Sequence, residues 1–154
     1  HKGELVKDLA YDVGVLRYEY VGNKLGAVTN FANANTTEVY GALTYGVVTT
    51  KYSHSLTNLF GNPNSKNSTY LDLSATFDLG SGMTLTPHVG RQEVNNKATA
   101  SYTDYSVTLA KDLGKGLSAT VALVGTDADR SVYYTPANKF TGKSGAVVGL
   151  KYSF

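Results

Sequence analysis

The chain has 154 residues, 42% of them hydrophobic and only 17% charged, one domain's length with fewer charges than the usual quarter. Its formal net charge of +2 excludes a basic nucleic-acid footprint, and the absence of cysteine excludes a disulfide framework, a thiolate metal site and a Cys nucleophile. No apolar run approaches the roughly 18 residues of a membrane-crossing helix, which excludes a helical membrane protein.

Twelve Tyr, sixteen Gly, many Thr, Val and Asn, three Pro and no Trp describe strands and tight turns. Period-two alternation recurs along the chain. The chain opens on His1-Lys2-Gly3 without a visible signal peptide and reads as mature, processed or truncated. Residues 1–7 read as the tail of an earlier strand and its turn, with Val6 opposite Leu9. Eight full strands follow, at 9–21, 36–46, 47–56, 68–79, 83–95, 101–113, 117–126 and 144–154. Short connections at Gly46-Val47, Gly80-Ser81-Gly82 and Gly114-Lys115-Gly116 alternate with long ones at 22–35, 57–67, 96–100 and 127–143. That alternation predicts an all-β, antiparallel up-and-down barrel in a single domain over 1–154, with turns at one end and loops at the other.

The short turns fix the phase. Around Gly80–Gly82, Leu79 faces Met83, Phe77 faces Leu85 and Leu73 faces Val89, while Asp78 faces Thr84 and Ser74 faces His88. Around Gly114–Gly116, Leu113 faces Leu117 and Leu109 faces Val121, while Asp112 faces Ser118 and Asp104 faces Thr126. Around Gly46-Val47, Tyr45 faces Val48 and Gly41 faces Tyr52, whose ring is expected to cover the glycine. Each hairpin has one apolar face and one small, polar or acidic face, and a one-residue slip would destroy the pattern.

Strand length decides which face points out. Segments of ten to thirteen residues exceed the usual five or six and match the roughly 9–11 needed to cross a bilayer. Apolar bands stop at charges on the loop side: Leu9, Tyr11, Val13 and Val15 end at Arg17 and Glu19, and Met83, Leu85, Pro87 and Val89 end at Arg91 and Glu93. A membrane barrel with the apolar face outward and a polar lumen is the expectation. Candidate lumen-lining residues are Asp12, Glu38, Lys51, Asp72, His88, Gln92, Asp104 and Lys151, with Asp78 and Asp112 on the same face. Rings of carboxylates favour cations.

The last strand alternates Ala146, Val148, Leu150, Tyr152 and Phe154 up to the terminal carboxylate. Tyr152 and Phe154 resemble the C-terminal signal of bacterial outer-membrane proteins, which the barrel-insertion machinery reads. Asn35-Thr36-Thr37-Glu38-Val39-Tyr40, Leu43-Thr44-Tyr45-Gly46 and Lys51-Tyr52-Ser53 resemble the TorF family, named as porins from sequence. So do Tyr70-Leu71-Asp72-Leu73-Ser74-Ala75, Tyr102-Thr103-Asp104-Tyr105 and Lys111-Asp112-Leu113-Gly114. The resemblance implies an outer-membrane β-barrel with no defined substrate. Members of that family carry additional strands before the point where His1 falls. Residues 1–6 are too short to cross a bilayer, and nine strands would close with a parallel seam, against the even-stranded rule. Either eight strands close and the stub hangs outside, or an N-terminal part is missing; the second is favoured, as part of a larger even-stranded barrel.

Little else carries chemistry. His1, His54 and His88 are scattered, and no HxH or HExxH pattern occurs. Ser74, His88 and Asp72 share a face but lack a nucleophile elbow, so they read as lumen lining rather than a hydrolase triad. The tyrosines read as an interfacial girdle and cross-strand packing in preference to a sugar-stacking ladder. The long loops carry Lys24, Lys66, Lys97, Arg130, Lys139 and Lys143, suited to lipopolysaccharide phosphates or simply to solubility.

The expectation is a porin-like barrel in the outer membrane of a Gram-negative bacterium, passing small polar solutes or ions without cofactor, metal or enzymatic activity. Its partners would be outer-membrane lipid, lipopolysaccharide, the insertion machinery, and a second copy or partner protein. The alternatives are a non-conducting scaffold or partner-binding barrel, and a soluble ligand-binding β-barrel with its faces reversed.

Overall fold

Alternating β-branched, aromatic and polar residues, punctuated by glycine, give ten strands in the computed structural model, which describes residues 1–135 and 137–154. They are β1 Lys2–Val6, β2 Leu9–Tyr18, β3 Thr36–Tyr45, β4 Val48–Ser55, β5 Thr69–Ala75, β6 Phe77–Gly80, β7 Met83–Glu93, β8 Tyr102–Gly114, β9 Leu117–Thr126 and β10 Gly145–Tyr152. Every pairing is antiparallel, between strands adjacent along the chain, with β6 continuing β5 alongside β7. Strands β1 and β10 form the two edges of the path, and no pairing joins them among the described residues. The stub 1–6 does not hang outside: β1 pairs with β2, with Val6 opposite Leu9.

The expected register is present at Leu73–Val89, Phe77–Leu85, Leu109–Val121 and Tyr45–Val48. Three details differ. Strand 68–79 breaks at Thr76, where Pro87 on β7 has no N–H to donate to the ladder. Met83 and Leu117 pair with Gly80 and Gly114 rather than with Leu79 and Leu113. The cause is the turn: residues 80–82 and 114–116 all have positive φ. The Asp78 and Asp112 carboxylates accept the Gly80 and Gly114 N–H groups at 2.8 and 2.7 Å, holding a bulge in place. Strand β10 stops at Tyr152 because its partner β9 begins at Leu117, and Phe154 lies beyond the ladder, fully exposed.

Residues of β2 and of β9 line one cavity of about 560 Å³. Laid flat, those strands would stand roughly 29 Å apart across six strand spacings, so the sheet is rolled. The rolled-in face is polar. Thr36, Glu38, Ser53, Ser55 and Gln92 are buried on it. On the other face Leu150 is 75% exposed, Leu123 64% and Leu109 42%. Among the described residues the buried apolar side chains are Leu59, Val94 and Ala100, which form a small cluster with Val132 at the loop end.

The loops there are tied to one another. Ala32 N–H donates to Gly61 O at 2.9 Å, Lys97 Nζ to Asn62 Oδ1 at 2.8 Å, and Tyr133 Oη to Ala100 O at 2.5 Å.

Removal of one turn carboxylate, Asp112→Ala, is expected to cost about 1 kcal/mol without changing the register. Urea unfolding of the refolded protein, with Asp78→Ala as the parallel case, measures it.

Candidate functional site

Antiparallel register sets the polar residues in rows across the inner face. One row runs Lys2, Asp12, Ala42, Lys51, Asp72, Gly90, Asp104, Thr126, each opposite the next. A second runs Gly14, Tyr40, Ser53, Tyr70, Gln92, Tyr102. Of the eight expected lumen residues, Asp12, Lys51, Asp72 and Asp104 therefore share one row. Glu38 and Gln92 lie toward the loops and His88 toward the turns. Lys151 is not brought to them; it is exposed on edge strand β10, opposite Ser118.

Gly90 organises the centre. Its missing side chain leaves a gap between Asp72 and Asp104, which Tyr70 and His88 fill. A Cβ at Gly90 would overlap the Tyr70 hydroxyl. That hydroxyl donates to Asp104 Oδ2 at 3.0 Å, and His88 Nε2 lies 3.4 Å from it. His88 Nε2 stands 2.6 Å from Asp72 Oδ2, and Nδ1 stands 3.7 Å from Asp104 Oδ1. Both ring nitrogens thus face carboxylates, and no hydrogen bond joins His88 to Ser74 among the described residues. This is a structural network, with no base set to activate Ser74.

Beside it, Lys51 Nζ sits 4.2 Å from the centre of the Tyr40 ring, and Tyr40 Oη donates to Asp12 Oδ1 at 3.3 Å. Tyr40 covers Gly14, whereas the expected cover of Gly41 by Tyr52 is not formed. Gly41 faces Tyr52 in register, but its open side meets only Val13 within 4 Å. Gln92 Nε2 donates to Thr69 O at 2.9 Å.

Above the network lies the 560 Å³ cavity, of a size typical for small-molecule sites. Glu38, Lys51, Asp72, Gln92 and Asp104 line its base. Two edge-to-face aromatic pairs wall it, Tyr18 with Phe60 at 5.0 Å and Tyr102 with Tyr133 at 5.4 Å. The loop residues Ala128, Thr141, Gly142 and Lys143 also line it. Burial pushes the Tyr133 hydroxyl up to about 12, so it stays a donor to Ala100 throughout the physiological range. In the same loop the Ser131 hydroxyl and N–H hold the Asp129 carboxyl below its ordinary value. The strand residues of this cavity were readable from alternation. Phe60 and Tyr133 were not, because a loop has no period from which to place a side chain.

On the outer face two constellations repeat at the loop-side rim. Arg17 bonds Glu19 and Thr37, and Arg91 bonds Glu93 and Thr103. His54, also on that face, meets Asn67 Oδ1 at 3.2 Å. Tyr152 lies on the outer face opposite Leu117, with Phe154 6.3 Å away, ring to ring. No group of three or more metal-ligating side chains occurs among the described residues.

Gly90→Ala should displace Tyr70 and cost about 1–3 kcal/mol. Combined with Tyr70→Phe, which removes the overlapping hydroxyl, the two costs should fall short of additive; a double-mutant cycle by urea unfolding reads the coupling.

Among curated proteins nothing matches the sequence, and among solved structures nothing matches it. The model of a family described as a bacterial protein of unknown function (Gcw_chp) matches residues 1–154. That match spans the whole chain, and the chain belongs to the Gcw_chp family.

Proposed function

We propose that the chain forms a transmembrane β-barrel, or a large part of one, in the bacterial outer membrane and provides a passive path for small polar solutes or ions. One observation carries this reading: the sheet is rolled with its polar face in and its apolar face out. Leu73, Val89, Leu109, Val121, Leu123 and Leu150 are exposed on one continuous face of strands β5 to β10. A water-soluble monomer rarely exposes an apolar patch of that extent, whereas hydrocarbon is its natural surrounding. The Arg17 and Arg91 clusters mark where that face ends and polar headgroups begin. The porin resemblance and the C-terminal Tyr152 and Phe154 agree with this reading.

Closure is part of the proposal. β1 and β10 both run toward the turn end, so joining them directly would make a parallel seam; an odd number of added strands between them restores an even antiparallel barrel.

A second reading, a non-conducting scaffold, is favoured by the His88 network. Tyr70, Asp72, His88 and Asp104 cross-link the inner face, and a barrel of eight or so strands has an interior that side chains just fill.

Cell fractionation with heat-modifiable gel mobility tests the membrane assignment; a buffer-soluble, folded chain refutes it. Conductance in planar bilayers separates the two readings, since the scaffold gives none. Leu109→Arg should destabilise the membrane-inserted protein by roughly 2–4 kcal/mol, measured by urea titration in lipid vesicles.

A further inference from the structure

We propose that the cavity beneath the loops is a binding chamber for a small organic cation, an ammonium on a compact carbon body, with Glu38 as its anchoring carboxylate. Glu38 is 8% exposed and lines the cavity. Among the described residues it has no side-chain hydrogen bond and no cation within ion-pair distance. Its stem is enclosed while its oxygens stay open to the cavity, since among the described residues the buried side-chain atom without a partner is Ser55 Oγ. A carboxylate in so enclosed a site is poorly solvated, and an arriving cation would offset that cost. The nearest internal candidate, Lys51, is held over the Tyr40 ring.

The walls suit the same ligand. Tyr18, Phe60, Tyr102 and Tyr133 surround the space with aromatic rings, which attract ammonium groups by their quadrupoles and accept an apolar body. The lining carries the carboxylates of Glu38, Asp72 and Asp104 against the ammonium groups of Lys51 and Lys143. Asp72 and Asp104 are engaged by His88 and Tyr70, which leaves Glu38 as the carboxylate open to a ligand. An anion would meet Glu38 directly. A neutral sugar would leave its charge uncompensated. A bare metal ion would find no cluster of ligands among the described residues.

The proposal places a selective chamber within the passage suggested above, but its test does not depend on that passage. The full chain, refolded in detergent or in buffer as fractionation dictates, is titrated by calorimetry with choline chloride, sodium chloride, glucose and sodium acetate. Choline should bind in the millimolar range, with the other three at least about tenfold weaker. Glu38→Gln should weaken choline by about tenfold or more while circular dichroism remains unchanged. If Glu38→Gln does not fold, Phe60→Leu, which removes one aromatic wall in a loop, should weaken choline severalfold. No choline binding by the parent chain, equal binding by the folded variant, or glucose or acetate bound as tightly as choline overturns the proposal. These results leave the membrane assignment untouched, since fractionation reads that separately.

Discussion

The structure depends on a constraint of the extended backbone: successive side chains of a strand point to opposite faces, so an alternating sequence presents its apolar side chains on one face, and paired neighbours in register present theirs on the same one. Here that constraint is met on the outside of the roll. Hydrogen bonding between adjacent strands aligns Leu73, Val89, Tyr105 and Gly125 across one face, and Asp72, Gly90, Asp104 and Thr126 across the other. An interior of this kind cannot be held by hydrophobic burial. It is held by the ladder itself and by polar groups that satisfy one another across it.

The inner network follows from that choice. Two carboxylates two strands apart would repel if left alone. Gly90 stands between them, and the space it leaves admits Tyr70 and His88, whose polar atoms reach both. Glycine thus acts by what it omits, letting a ring from the neighbouring strand lie against the backbone. The same device recurs where Tyr40 lies on Gly14 and Tyr105 on Gly125. Asp78 and Asp112 share the face of Asp72 and Asp104, but they are engaged with their own turns.

Much of this is legible in the sequence. Alternation and the glycine turns set the register of β3 with β4, β5 with β7 and β8 with β9, because a slip of one residue would have put Leu109 and Asp104 on the wrong faces. The bulges after Asp78 and Asp112 were not readable from alternation, since they depend on side-chain bonds to turn amides. The break at Thr76 has a visible cause in Pro87, a residue on the opposite strand. The polar set at the base of the cavity was placed by parity, except Lys151, which shares the face but lies on an edge. The upper half of the cavity is built by Phe60, Tyr133 and Lys143, which come from loops rich in Asn, Ser and Thr. Loop conformation follows from many side-chain-to-backbone bonds, such as Ser65 Oγ to Asn62 O and Asn95 Nδ2 to Lys66 O, and no repeating spacing announces them.

The nearest-neighbour strand order also bears on how the molecule assembles. Each strand pairs with the one just before or after it along the chain, β6 being the continuation of β5, so every ladder except a closing one is a local hairpin. The tight turns at 6–9, 45–48, 80–83 and 114–117 require closure of only a few residues, and the entropic cost of each such closure is small. Local pairings of this kind keep contact order low, and the long loops join the hairpins in chain order. The long-range step is the curling that brings β2 within reach of β9, with 98 residues between Tyr18 and Leu117. Among the described residues curling adds no ladder of its own. The loop ties from Ala32 to Gly61, from Lys97 to Asn62 and from Tyr133 to Ala100 then act as the latch that keeps the roll from reopening at its wide end.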